Sequence, residues 1–122
     1  MIYALQTGGV PPLIPPFIVD VRDVAKAHIA ALDLPRAADL QDKRFIINAG
    51  NLTWKEAAEH LNTARPSMKT AAQVDFPALP GPASTLDNSR SLKVLKLGAY
   101  IDPKKTVEDA VDALVEVQKS WA

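Results

Sequence analysis

The 122-residue chain has no cysteine, which excludes disulfides, thiolate metal sites and a cysteine nucleophile. Glycine is scarce. Gly8, Gly9, Gly50, Gly81 and Gly98 never fall into a G-x-x-G-x-x-G or G-x-G-x-x-G pattern opening a helix, so no turn is expected to cradle a dinucleotide pyrophosphate. Neither sign of charge is in excess: fourteen basic side chains face fourteen acidic ones, with no basic stripe. Nucleic acid and anionic membrane are therefore poor candidates as partners. The opening MIYALQTGGVPPLIPP lacks a positive flank, and Gly and Pro interrupt its apolar residues. It reads as neither a signal peptide nor a membrane span, and a cytoplasmic protein is expected. No serine stands in a G-x-S-x-G setting, neither Ser67, Ser84, Ser89, Ser91 nor Ser120, so hydrolase chemistry has no support.

What is present is ordinary globular composition, 48% hydrophobic and 23% charged, enough for one domain at most. The organising stretch is Phe17–Leu32, FIVDVRDVAKAHIAAL. An apolar run, Phe17-Ile18-Val19, reads as a strand. From Val21 the period changes, and Val21, Val24, Ala25, Ile29 and Leu32 form one helical stripe expected to face a core. Asp20 stands at the N-cap and Asp23 near the positive end of the helix dipole; Arg22 is read as a tie to a neighbouring loop. Ahead of this, Ile2, Ala4 and Leu5 read as the last turn of a helix stopped by Gly8, with its first turns missing. The loop from Gly8 to Pro16 is stiffened by Pro11, Pro12, Pro15 and Pro16. Its apolar members Val10, Leu13 and Ile14 could cover a core or line a pocket, although loops most often only connect.

Downstream, Arg44–Gly50 (RFIINAG) reads as a second strand, with Phe45, Ile46 and Ile47 apolar on both faces, as in a parallel strand buried between helices. Thr53-Trp54-Lys55-Glu56 is a capping box, and its helix should bury Trp54, Ala57, Ala58 and Leu61 and stop before Arg65-Pro66. Ser67–Ser84 is irregular, with a short extended piece at Val74–Phe76. Asp87 or Ser89 should cap a short helix that turns Leu92, Val94 and Leu95 inward and ends at Gly98. Asp102-Pro103 opens the longest helix, proline at N1, with Val107, Ala110, Val111, Leu114, Val115, Gln118 and Trp121 as its stripe. The fold class is α/β, helix-rich, with two short strands. A both-face-buried strand needs more neighbours than one other strand supplies, so residues 1–122 read as a single incomplete domain. It would either depend on a missing N-terminal half or self-associate through the edges at Phe17–Val19 and Phe45–Ile47.

Four segments in order resemble the extended short-chain dehydrogenase/reductases, in the branch of dihydroflavonol reductases, cinnamoyl-CoA reductases and fungal methylglyoxal reductases. They are VDVRDVAKAH (Val19–His28), KRFIINAG with TWKE (Lys43–Gly50 and Thr53–Glu56), TLDNSRSLKVL (Thr85–Leu95) and VEDAVDAL (Val107–Leu114). The resemblance implies the C-terminal, substrate-side part of a Rossmann-type NADP(H)-dependent reductase of small carbonyl substrates, the glycine-rich half being absent. It also implies that the family's Ser…Tyr-x-x-x-Lys set lies outside this chain. No catalytic, cofactor-binding or metal residue is expected here, and NADP(H) is not expected to bind the chain alone. Tyr100 and Lys104 share the spacing of the catalytic pair, but a helix stop and a helix start stand between them, so they read as surface residues. The best candidates for a substrate-pocket wall are Leu13, Ile14, Pro15 and Phe17. His28 reads as a core histidine, or one that backs a site residue, hydrogen-bonded to a neighbour, in preference to a catalytic base. Glu56 and His60, four apart, lack a third metal ligand and read as a solvated pair. The rival reading is a non-catalytic module that docks on a reductase or another partner.

Overall fold

The computed structural model describes residues 15–34, 44–67, 81–82 and 84–121. In chain order the elements are β1 (Phe17–Ile18), α1 (Val21–Leu32), β2 (Gly50–Asn51), α2 (Trp54–Ala64), α3 (Ser89–Val94) and α4 (Pro103–Ser120). The protein is thus a helix-rich α/β chain. It divides into two compact units, one of residues Phe17–Asn51 with Thr85–Pro103, the other of Met1–Pro16, Leu52–Ser84 and Lys104–Ala122. The expected helix end at Ile2–Leu5, most of the proline loop, and the extended piece at Val74–Phe76 lie outside the described residues.

In the first unit, β1 and β2 pair antiparallel, Phe17 opposite Asn51 and Ile18 opposite Gly50. This corrects the expectation of a parallel strand over Arg44–Gly50. Residues 44–49 stay out of any ladder, and Ile46 is 46% exposed. A both-face-buried strand needs partners on both edges and cover above and below. The described residues supply one partner of two residues, so the apolar run has no sheet to enter. What fixes the segment instead is polar. Ala49 N donates to Ile18 O at 2.8 Å, and Asn48 is buried. With its amide nitrogen turned toward the chain, Asn48 donates to Ile18 O at 3.0 Å and Gly50 O at 3.1 Å.

Helix α1 begins and ends where its pattern places it. Asp20 is extended and its side chain accepts from Arg22 N, as an N-cap should. Its orientation is the reverse of the expectation. The buried residues are Asp23 and Ala27, while Val21 is 77%, Ile29 65% and Leu32 83% exposed. The cause is a single strong tether: Asp23 Oδ2 accepts from Ile101 N at 2.8 Å. A nearly inaccessible carboxylate must keep its partner, so the face carrying Asp23 turns inward and the apolar stripe turns out. Helix α3 begins at Asn88, which makes no side-chain cap bond; Asp87 accepts from Ser89 N at 2.9 Å in its place. Leu95 is buried, and the chain leaves the helix with Lys96 at φ 52°, ahead of Gly98 at φ 75°.

The second unit contains α2 and α4. The capping box is complete: Glu56 N donates to Thr53 Oγ1, and Thr53 N donates to Glu56 Oε2 at 2.8 Å. Ala57, Ala58 and Leu61 on α2 and Val107 and Val111 on α4 are buried. Trp54 is half-buried. The α4 stripe fades after Leu114 and Val115, which are half-buried, and Trp121 beyond the helix is 75% exposed. Among the described residues no helix is long and apolar enough to cross a membrane.

Candidate functional site

The segment with the strongest sequence signal, VDVRDVAKAH, sits at the centre of a polar network within the first unit. The Asp20 carboxylate accepts the Arg22 backbone N–H at 2.9 Å. It also takes the Arg22 guanidinium two-pronged, Nε to Oδ1 at 2.8 Å and Nη2 to Oδ2 at 2.7 Å. Asp23 ties the loop at Ile101 and stands 3.6 Å from the Lys26 ammonium. Asp20 caps the helix and holds Arg22, as its N-cap reading expects, while Asp23 ties the loop at Ile101 instead of only the helix start. Nearby in sequence to that loop, the fully buried Ser91 donates to Asn88 O at 2.7 Å and lies 2.6 Å from Tyr100 Oη. With the serine proton committed to Asn88, the phenol donates to Ser91 Oγ. Asn88 Nδ2 reaches Asn48 O at 2.6 Å. These groups hold backbone in place. The Ser91 and Tyr100 hydroxyls bond to each other, and the serine to the Asn88 carbonyl.

His28 is exposed, with Nδ1 2.8 Å from Val24 O one turn back. The hydrogen bond to a neighbour is as expected, but the core placement is corrected, and the exposure follows from the rotation of α1. Of the proposed pocket wall, Leu13 and Ile14 lie outside the described residues, Pro15 is exposed, and Phe17 is 36% exposed.

In the second unit, Glu56 and His60 do not act together. Glu56 is held by Thr53, whose backbone N–H and then hydroxyl keep its carboxyl below the usual range. His60 Nε2 is 2.7 Å from Glu108 Oε1 on α4. Arg65, just past α2, forks onto Asp112, Nε to Oδ1 at 3.0 Å and Nη2 to Oδ2 at 2.7 Å, and reaches Glu108 at 3.3 Å. Sequence reading missed this cluster. Glu108 and Asp112 are four apart on one face, but nothing in the pattern says which helix that face meets. Among the described residues no group of three or more His, Asp or Glu could hold a metal.

The Arg65 hydrogen bond holds the Asp112 carboxyl below its usual value. A lowered carboxyl contributes stability above the ordinary carboxylate pKa, about 4, and loses it as pH falls through the lowered value. The unfolding midpoint should therefore drop more steeply below about pH 4 in the wild type than in Asp112→Asn. Equal acid slopes in thermal melts would contradict the assignment.

A bound dinucleotide needs backbone N–H groups free to face its pyrophosphate, and the helix starts among the described residues do not fit one. The Asp20 carboxylate sits at the start of α1 and the Glu56 carboxylate at that of α2, and α4 opens on Pro103. Three of the four starts carry a carboxylate of their own, Asp87 taking the Ser89 N–H at the start of α3, and α4 lacks an N–H at its first position.

No family model and no solved structure matches the chain. Two curated relatives do. The ketoreductase azaE of Aspergillus niger is 38% identical over 113 residues, 91% of this chain and 32% of that protein. The NADPH-dependent methylglyoxal reductase GRE2 of Saccharomyces cerevisiae is 28% identical over 104 residues, 82% of this chain and 29% of that protein. The chain therefore spans about a third of the curated relatives it matches. Both relatives are reductases by name, and the chain is similar to part of each.

Proposed function

We propose that the chain is the C-terminal, substrate-side portion of an NADP(H)-dependent carbonyl reductase with a Rossmann-type fold, and that it has no reductase activity alone. The observation that carries this is 38% identity to a ketoreductase across 91% of the chain. The NADPH dependence in the name of the yeast relative supports the choice of cofactor for the whole enzyme. In this reading the proline-rich loop ending at Phe17 walls the cleft for a small ketone or aldehyde. The polar network around Asp20, Asp23 and Asn48 fixes the backbone on which that loop ends. Proton and hydride transfer belong to residues that this sequence does not contain.

The test is a hybrid in which this chain replaces the 113 matched residues of the Aspergillus ketoreductase. NADPH oxidation dependent on a small carbonyl such as methylglyoxal is expected from the hybrid, and none from the chain alone. A folded hybrid that binds NADPH but turns over no carbonyl would contradict the proposal.

A further inference from the structure

We infer that Asn88 is a positioning residue for carbonyl binding: through the peptide unit that joins Asn48 to Ala49, its side chain sets the end of the proline-rich loop at Phe17. The inference deepens the functional reading above and rests on it. Asn88 stands at the N-cap of α3, where an asparagine ordinarily accepts from its own helix, yet its side chain makes no cap bond. Asp87 takes the Ser89 N–H instead. The Asn88 amide is spent 40 residues away, Nδ2 donating to Asn48 O at 2.6 Å. Helix capping therefore does not account for this asparagine; the distant carbonyl does.

The peptide unit it reaches is held at both poles. Its carbonyl, Asn48 O, accepts from Asn88, and its N–H, on Ala49, donates to Ile18 O at 2.8 Å. A peptide whose carbonyl is engaged becomes a stronger donor at its N–H, so the two bonds support each other. The Asn48 side-chain amide donates to the same Ile18 oxygen at 3.0 Å, and Asn48 is buried. Phe17 and Ile18 make up β1, opposite Asn51 and Gly50, so the strand that carries Phe17 follows the placement of this one peptide. Behind Asn88, its own carbonyl accepts from Ser91 Oγ at 2.7 Å, and Ser91 Oγ in turn accepts from Tyr100 Oη at 2.6 Å. That fixes the backbone from which the Asn88 amide reaches out. The row of hydrogen bonds thus runs in one direction, from Tyr100 to the residue beside Phe17.

The test uses Asn88→Asp, which keeps the size of the side chain and its fitness for a helix start but removes the amide donor. Tyr100→Phe, which removes only a hydroxyl, is the milder second variant. In the chain, hydrogen exchange at the Ala49 amide, followed by NMR, should quicken at least about tenfold in Asn88→Asp, while the Ala57, Ala58 and Leu61 amides of α2 keep their protection. In the hybrid ketoreductase, Asn88→Asp should raise KM for methylglyoxal about tenfold and change KM for NADPH less than about twofold. Tyr100→Phe should act in the same direction and less. A general loss of structure would instead lower the fraction of active enzyme, and with it kcat, leaving KM for methylglyoxal alone. Unchanged exchange at Ala49 would overturn the inference. Faster exchange with no change of KM in either variant would also overturn it and leave the functional reading standing. A folded parent hybrid that turns over no carbonyl removes the functional reading and the inference together. If the Asn88→Asp hybrid does not fold, the KM values of Tyr100→Phe decide alone.

Discussion

Replacing Leu61 by alanine is expected to destabilise the unit built on α2 and α4 by about 3 kcal/mol, and replacing it by aspartate by more than about 4 kcal/mol. Leu61 is fully buried, in company with Val107 and Val111, and these are the largest apolar side chains with no exposure among the described residues. The rest of the buried set on α2 is Ala57 and Ala58. Truncating the one large fully buried side chain of that helix leaves a cavity that alanines cannot fill, and a carboxylate there has no partner to offset its burial. Total stabilities run to roughly 5–15 kcal/mol, so the aspartate variant should lose most of its helical circular dichroism at room temperature. Urea melts of the alanine variant give the size of the effect; a change under about 1 kcal/mol would mean that Leu61 is not the keystone of this core.

The second large effect is expected at Asp23. Asp23→Ala removes the acceptor of the Ile101 N–H and leaves that amide without its partner, at a cost of about 2 kcal/mol. Asp23→Asn keeps an acceptor oxygen in the same place and should recover most of the loss. Hydrogen exchange at the Ile101 amide separates this from general destabilisation. Protection there should collapse in the alanine variant and persist in asparagine, while the buried amides of α2 keep theirs. Lys26→Ala should change little, because its ammonium is mostly exposed and such pairs contribute at most about 1 kcal/mol. If asparagine were as damaging as alanine, the negative charge of Asp23, not its hydrogen bond, would be the tether.

These two residues mark how far the fold could be read from the sequence. Signals that act over a few residues were legible. Asp20 as N-cap, the Thr53–Glu56 box and proline at the start of α4 depend on neighbours in the chain, and they fall where expected. Periodicity placed Ala57, Ala58 and Leu61 of α2 and Val107 and Val111 of α4 inward, as they are, but also Gln118 and Trp121, which are exposed. It could not say which face of α1 meets a neighbour, because that was decided by a contact between Asp23 and Ile101, 78 residues apart. The same limit explains Phe45–Ile47. An apolar triplet states what a strand would need on its two faces, not whether partners are present. Of the candidate site, the network around VDVRDVAKAH was legible as a place, but its roles were not. Asp20 and Asp23 look alike in sequence; one accepts from its own helix and the other from a distant loop.

In the proposed function this chain belongs to the substrate side of a reductase and not to the cofactor side. Titration of the purified chain with NADPH, followed by calorimetry, tests that division most directly. The expected result is no saturable binding, because the sequence has no G-x-x-G-x-x-G or G-x-G-x-x-G pattern for a pyrophosphate and the starts of α1 and α2 already hold the Asp20 and Glu56 carboxylates. A dissociation constant in the low micromolar range, on the order of −8 kcal/mol of binding free energy, would contradict it.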